Sequence, residues 1–303
     1  MGEKRRVTVR VPASTANLGS GFDVLGLALG LYNTVEVEAI SRGVELTVEG
    51  EGAERLQKVG VRSLVLRAAQ ATFAYLGVKA PGLKIHLKNE IPLRRGLGSS
   101  ATACLGGVVA AALLSGRALA PEEVLRLALP LEGHPDNITP SLVGGLTATS
   151  LAEAGIRYVK IPIPDAIRVV AVIPKMELGT AEARRALPAQ VPLTDAVYNV
   201  GRAALLVAAM AAGDLSLLDE ATRDRLHQPY RAKLIPGMDE VLDAARRAGA
   251  LAAFLSGAGS TLVALVDRGA ETVGGEMAEA WARKGMQSEV KVLTVEHEGV
   301  KVS

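Results

Sequence analysis

Apolar and polar residues alternate at Val7, Val9 and Val11, again at Val35 and Val37, and again at Val44, Leu46 and Val48. A period of two sends successive side chains to opposite faces of a pleated backbone, so each run predicts a half-buried strand of an antiparallel sheet. The period then lengthens. Leu66, Ala69, Phe73 and Leu76 recur at helical spacing behind Ser63, which suits an N-cap, and Gly77 is placed to end that helix. Leu83, Ile85 and Leu87 return to period two and predict one more strand.

Leu105, Val108, Val109, Ala112 and Leu113 follow an i, i+3, i+4, i+7, i+8 pattern directly behind a glycine and serine cluster, so a strand, a glycine turn and a buried helix come in that order. Pro121, with Glu122 and Glu123 at the positive end of the helix dipole, opens a further helix that Pro130 is expected to stop. Pro162 and Pro164 punctuate the chain before an apolar strand over 167–173, which places a domain boundary there and predicts domains over 1–163 and 164–303. Helices are expected over 194–212 and 238–248, strands over 251–255 and 261–266, a helix carrying Val273, Met277, Ala280 and Trp281, and a last strand over 290–295. No period of 20 to 50 residues repeats along the chain. Strands and helices mix without a regular β/α alternation, so the fold class is α+β.

Composition narrows the class of function. Of 303 residues, 49% are hydrophobic and 22% charged, which excludes a disordered or fibrous chain and supplies core for two domains. Thirty-four basic residues against 32 acidic ones leave a formal charge of +2, too little to draw the molecule to nucleic acid or to a membrane surface. The N-terminal MGEKRR is not followed by an apolar stretch, so no secretory signal is expected. The runs over 101–114 and 203–212 come nearest to a membrane span, but their helical periodicity suits buried helices of a soluble protein, and a cytoplasmic location is expected. The single cysteine, Cys104, sits in an apolar run and fits a reducing compartment.

The segment IPLRRGLGSSAT, from Ile91 to Thr102, carries the strongest local chemistry. Gly96 and Gly98 permit positive φ and a close backbone approach to a ligand, and the helix behind them presents unpaired N–H groups and a partial positive charge. That combination is an anion site, to which Arg94 and Arg95 add charge and Ser99 and Ser100 add hydroxyls. It lacks the lysine of a Walker A loop. Taken alone, GLGSS reads equally as a glycine turn with Ser99 as an N-cap.

Four other segments stand out. VRVPASTANLGSGFD, ending at Asp23, reads as a strand entering a turn in which Asn17 and Asp23 could bond their own backbone. LEGHPDN places Glu132 near His134, Asp136 and Asn137, with a hydrogen-bonded His134–Asp136 pair the plainer reading of those two. TAEARRALP and LHQPYR offer Arg184, Arg185 and Arg231, which are surface arginines unless they converge on a carboxylate. FLSGAGSTLVAL, from Phe254 to Leu265, is two apolar runs around a Gly/Ser turn and could be a plain hairpin.

Together these five segments resemble, in order and over nearly the whole chain, the GHMP kinases, and the Val9–Asp23 string resembles the first motif of the homoserine kinase branch in particular. Arg94 departs from that pattern, since the family has a small residue there, and Ser63 stands where relatives often have asparagine. The resemblance implies a mixed N-terminal sheet with helices, a C-terminal ferredoxin-like α/β sandwich, and an active site in the cleft between them. It implies ATP over a phosphate loop of Pro92, Leu93, Arg94, Arg95, Gly96, Leu97, Gly98, Ser99, Ser100, Ala101 and Thr102, with Mg2+ on Ser100 and Glu132. L-homoserine would be held at its ammonium by Asn17 and Asp23, at its carboxylate by Arg184 and Arg231, and at its hydroxyl by Asn137, with Arg185 pointing elsewhere. Ser100, Glu132 and Asn137 would then be the catalytic set in a step of threonine biosynthesis. The partner is a small molecule, with neither nucleic acid nor membrane involved, and a homodimer is compatible with the pattern. The alternatives are a GHMP kinase for another small alcohol and a nucleotide-binding relative without activity.

Overall fold

The computed structural model describes residues 6–60, 63–153 and 155–303. The charged start of the N-terminal segment, residues 1–5, lies outside the described residues. Strands β1 (Arg6–Ala16) and β2 (Leu25–Ile40) pair antiparallel with Val7 opposite Val37 and Val9 opposite Val35. All four valines are buried, as their alternation requires. Strand β3 (Val44–Gly50) is followed by α1 (Ala53–Val59) and α2 (Leu64–Tyr75), and then by β4 (Gly82–Asn89).

The third run departs from expectation. β4 pairs antiparallel with β2, but β3 pairs parallel with β4. The intervening helices form a crossover long enough to bring the chain back in the same direction, which alternation alone does not encode. Ser63 does occupy the N-cap of α2, yet its hydroxyl makes no cap bond and is buried without a partner.

Helix α3 (Ser99–Leu114) packs on the sheet, followed by α4 (Pro121–Glu132), α5 (Pro135–Val143) and the hairpin of β5 (Leu146–Ala152) and β6 (Gly155–Ile161), which joins the sheet through β2. Two glycines set how closely α3 lies. A Cβ on Gly106 would stand 2.4 Å from Val35 Cγ2, and one on Gly107 2.3 Å from the Val65 carbonyl oxygen of α2. Pro130 does not stop α4, contrary to expectation. It lies in the last turn, where its missing N–H costs one bond, and the helix runs on to Glu132 before Gly133 (φ 87°) ends it by donating to the Leu129 carbonyl.

The chain leaves this sheet between Ile161 and Arg168 and builds a second one from β7 (Arg168–Pro174), β8 (Ala252–Leu255), β9 (Leu262–Val266) and β10 (Ser288–Thr294). Its order is β10-β7-β9-β8 with every pair antiparallel, the ferredoxin-like arrangement. Between β7 and β8 run α6 (Thr180–Arg185), α7 (Leu193–Ala212), α8 (Leu218–Ala221), α9 (Gln228–Arg231) and α10 (Met238–Arg247), and α11 (Ala270–Ala282) joins β9 to β10. The last strand, β11 (Lys301–Val302), returns to pair with β1, so these residues of the span assigned to the C-terminal domain belong to the first sheet.

The second sheet is covered on both faces, which is why β7, β8 and β9 read as unbroken apolar runs, whereas the edge strand β10 stays largely exposed. Val170, Val172, Leu262 and Ala264 pack with Val241, Val273, Met277 and Trp281 of α10 and α11. Val169, Ala171, Phe254, Val263 and Leu265 pack instead with Leu25, Leu27 and Leu97 of the first half and with Leu206 and Met210 of α7. This shared core carries the glycine turn before α3 at its edge, so the site sits where the two sheets meet. No helix among the described residues is long and apolar enough to cross a membrane.

Candidate active site

The turn between β4 and α3 is held in shape from three directions. The Leu97 carbonyl accepts from Ser14 N–H (3.2 Å), the Gly96 carbonyl from Ser256 Oγ (2.6 Å), and the Arg95 carbonyl from Thr261 N–H (3.2 Å). Thus the first motif and the Phe254–Leu265 hairpin both brace the loop. Gly96 and Gly98 adopt φ of 76° and 72°, and a Cβ on Gly96 would stand 2.1 Å from the Ser256 carbonyl oxygen. Among the described residues, no hydrogen bond uses the N–H groups of Gly96, Leu97, Gly98, Ser99, Ser100 or Ala101. With the carbonyls tied back and these donors free, the head of the 16-residue α3 presents an anion site.

A cavity of about 430 Å3 opens at this helix head and is lined by Pro92 through Ser100. Ala101 and Thr102, expected in the phosphate loop, do not line it. Both are fully buried on the inner face of α3, where Thr102 Oγ1 accepts from Asn33 Nδ2 (2.8 Å) and donates to the Ser99 carbonyl (2.8 Å). Ser99 is not the N-cap either, since Gly98 takes that position. Arg94 stands at the rim with a positive φ of 55° and its Nε 3.7 Å from Glu177. Arg95 turns inward and donates to the Pro174 carbonyl (2.6 Å).

Across the cavity, Ser100 Oγ donates to Glu132 Oε2 at 2.8 Å. Burial pushes the Glu132 carboxyl up to about 7, against the opposing effect of the Ser100 bond. These are two hard oxygen donors, and no cluster of three or more His, Cys, Asp or Glu residues lies elsewhere among the described residues. So sparse a donor set fits Mg2+, which keeps several waters and phosphate oxygens in its shell, better than a metal needing a full protein cage.

The far end of the cavity gathers the charged residues. Arg184 Nη2 donates to both carboxylate oxygens of Asp23 (2.8 and 2.9 Å) and to His134 Nδ1 (3.0 Å). Arg231, only 2% exposed, donates from Nη1 to the Gly257 carbonyl (2.9 Å). Both guanidinium groups lie over the ring of Phe22, at 5.6 Å and 5.3 Å, within cation–π range. Asn137 Oδ1 accepts from Ser14 Oγ (3.0 Å). Asn17, in a left-handed conformation, spends its side chain on its own turn, accepting from Asp23 N–H (3.0 Å) and donating to the Gly257 carbonyl (3.0 Å).

Of the residues singled out from the sequence, Asn17, Asp23, Ser100, Glu132, Asn137, Arg184 and Arg231 line one cavity, and the exposed Arg185 does not. The hydrogen-bonded pair expected of His134 and Asp136 is absent from the described bonds. His134 faces Arg184, and burial, with Arg184 adding to it, lowers its pKa, whereas Asp136 is 3% exposed and is pushed up to about 7 by burial and by nearby Asp23. Asp136 therefore lines the cavity too, while Phe22 and Ser14 support its lining side chains from behind, and sequence reasoning gave none of the three a role in the site. The one signal for Asp136 was its place beside Asn137.

The family model described as GHMP kinases N terminal domain matches residues 63–145, and the one described as GHMP kinases C terminal matches residues 206–283. The chain is 45% identical to a homoserine kinase of Moorella thermoacetica, covering 97% of this chain and 99% of that one. It is 44% identical to a homoserine kinase of Aquifex aeolicus over 98% and 99% of the two chains. The crystal structure of homoserine kinase from Cytophaga hutchinsonii superposes with a TM-score of 0.91 at 32% identity, covering 100% and 99%. A mevalonate kinase of L. major shares the fold, with a TM-score of 0.70 at 18% identity over 98% and 97%.

Proposed function

The chain belongs to the GHMP kinases, and we propose that within this family it transfers the γ-phosphate of ATP to the side-chain hydroxyl of L-homoserine, giving O-phospho-L-homoserine and ADP in threonine biosynthesis. One observation carries the substrate reading. A single cavity joins a helix head with free N–H groups to a cluster of two acids, Asp23 and Asp136, and two arginines, Arg184 and Arg231. A neutral alcohol offers this cluster nothing beyond the Asp23–Arg184 pair it already holds, whereas the ammonium of an amino acid meets the acids and its carboxylate meets Arg231, which has no ion-pair partner among the described residues.

In this reading the Pro92–Ser100 loop takes the phosphates, and the apolar stretch lined by Leu46, Leu64, Val65 and Leu87 takes the base. Asp23 and Asp136 face the substrate ammonium, Arg184 and Arg231 its carboxylate, and Asn137 its hydroxyl, with Asn17 holding the turn that presents Asp23. Ser100 and Glu132 would hold Mg2+, which when bound supplies charge compensation at the phosphates. The hydroxyl oxygen attacks the γ-phosphorus, the bond to the ADP oxygen breaks, and the hydroxyl proton passes to solvent. The loop amides and the α3 dipole stabilise charge on the transferring group, and Asn137, fixed by Ser14, orients the nucleophile. Orientation and electrostatics supply most of the acceleration, so no carboxylate needs to act as general base.

The same reading carries a division into domains near residue 163, a cytoplasmic location, and a soluble partner in place of nucleic acid or membrane, with a homodimer compatible. ADP release at fixed Mg·ATP across a panel of small alcohols tests it. L-homoserine should exceed the neutral alcohols by at least about a hundredfold in kcat/KM, the expected value of two charge-assisted contacts. Comparable rates with an uncharged alcohol would overturn the substrate assignment, and no ADP release with any of them would overturn the kinase.

A further inference from the structure

Arg231 is almost wholly buried, yet among the described residues no carboxylate forms an ion pair with it. Its acceptors are all neutral: the Gly257 carbonyl at 2.9 Å, the Ala183 carbonyl at 3.5 Å, and His227 Nδ1 at 3.2 Å. A buried cation without a counterion is costly unless its hydrogen bonds are satisfied and a partner arrives. Arg184, by contrast, already has Asp23 as a partner.

His227 is the unusual member of this set, because its ring is fully buried and both nitrogens have assigned work. A guanidinium only donates, so Nδ1 must be the bare acceptor. The proton therefore sits on Nε2, which donates to the Gly19 carbonyl at 2.8 Å. The Gly19 backbone lies close against Thr222, since it has φ of 74° and a Cβ there would stand 1.8 Å from the Thr222 carbonyl oxygen. Phe22 stacks on the imidazole with ring centroids 5.1 Å apart. Asp224 Oδ2 lies 3.5 Å from Nε2, but this carboxylate is already occupied by the N–H groups of Leu226, His227 and Gln228 and by the Asn199 amide. Burial, with a smaller contribution from Arg231, holds the imidazole neutral.

We propose that His227 is a charge-neutral positioning residue, which fixes the Arg231 guanidinium through Nδ1 while leaving its positive charge unspent for the carboxylate of the substrate. An acid in its place would orient Arg231 equally well and neutralise it. The device links the first motif, through Gly19 and Phe22, to the LHQPYR segment, and it selects an anionic substrate over its uncharged counterparts. The inference rests on the reading of Arg231 as a carboxylate ligand.

The test compares His227→Asn with His227→Asp. Both place an oxygen near the position of Nδ1, and they differ in charge. KM and kcat are measured for L-homoserine and for its methyl ester, which keeps the ammonium and hydroxyl and lacks the anion. His227→Asn should keep the KM for L-homoserine within about threefold of wild type. His227→Asp should raise it about tenfold or more, narrow the preference for the acid over the ester, and leave kcat and the KM for ATP little changed. Equal KM values and equal preferences for the two variants overturn the proposal. Arg231→Gln separates this failure from that of the underlying reading: if it leaves the acid-over-ester preference intact, Arg231 is not the carboxylate ligand. Should His227→Asp not fold, His227→Leu replaces it, and a KM for L-homoserine no higher than that of His227→Asn overturns the proposal equally.

Discussion

Ser100 at the head of α3 and Glu132 in the last turn of α4 meet through one hydrogen bond of 2.8 Å at the wall of the cavity. Burial leaves the carboxylate poorly solvated and pushes its pKa up to about 7, although the Ser100 bond works in the opposite direction. A site that keeps an acid in such surroundings is one where a cation is expected to compensate it. Glu132→Gln keeps the shape and the Ser100 contact but removes the charge. We expect kcat to fall about a hundredfold or more, equivalent to about 3 kcal/mol, with no recovery at high Mg2+ and an unchanged circular dichroism spectrum. A variant turning over within about threefold of wild type would remove Glu132 from its assigned role.

The Asp23–Arg184 pair separates binding from stability. Both side chains are about a third exposed, at 33% and 36%, so solvent screens their attraction and the pair contributes under about 1 kcal/mol to folding. In the proposed complex the same arginine meets a substrate carboxylate. Arg184→Ala should therefore unfold at nearly the wild-type urea midpoint while its KM for L-homoserine rises about 10- to 100-fold, the range of one or two lost charge-assisted bonds. A large loss of stability with an unchanged KM would assign the pair to the fold instead.

Two buried groups give opposite pH dependences of stability. Burial pushes Asp136 up to about 7, so between the unfolded value near 4 and pH 7 the folded state holds a proton that the unfolded state has released, and stability falls as pH rises through that window. Burial lowers His227 to about 4, so between about pH 6.5 and 4 the unfolded state binds a proton that the folded state refuses, and stability falls as pH falls. In the wild-type protein the two largely cancel. Asp136→Asn removes one of them, so on going from pH 7 down to pH 5 the ligand-free variant should lose about 2 kcal/mol more stability than wild type in urea unfolding. Parallel pH profiles for the two proteins would show that Asp136 titrates normally.

What the sequence disclosed and what it hid divide along chain distance. The helix over 99–114 and its glycine turn were readable because periodicity, positive-φ glycines and the free N–H groups of a helix head are all local properties. The direction of β3 was not, because pairing depends on the length and path of the helices that follow it. Pro130 misled because a proline in the last turn costs one bond rather than a helix. Arg184 and Arg231 were legible only through resemblance, since nothing in TAEARRALP or LHQPYR says that either side chain turns inward. The role of His227 was invisible for the same reason, as its partner Gly19 lies 208 residues away. Asp136 looked like a structural partner for His134 until the fold set them toward different neighbours.

Asn137 poses the question of the general base. An aspartate at this position would be the conventional group for removing the hydroxyl proton. The local electrostatics argue against a gain. Asn137 Oδ1 accepts from Ser14 Oγ at 3.0 Å, and Nδ2 lies 3.5 Å from Asp136 Oδ1. Asn137→Asp would replace that weak donor with a second carboxylate facing an acid already raised by burial and by Asp23. Like charges at such separation raise each other's pKa, so the new group would be protonated or would displace Asp136, and either outcome disturbs the hydroxyl it should activate. We expect kcat to stay level or to fall by up to about tenfold across the pH range in which the protein is folded. A gain in kcat of about tenfold or more would mean that proton removal, not positioning, limits the wild-type reaction.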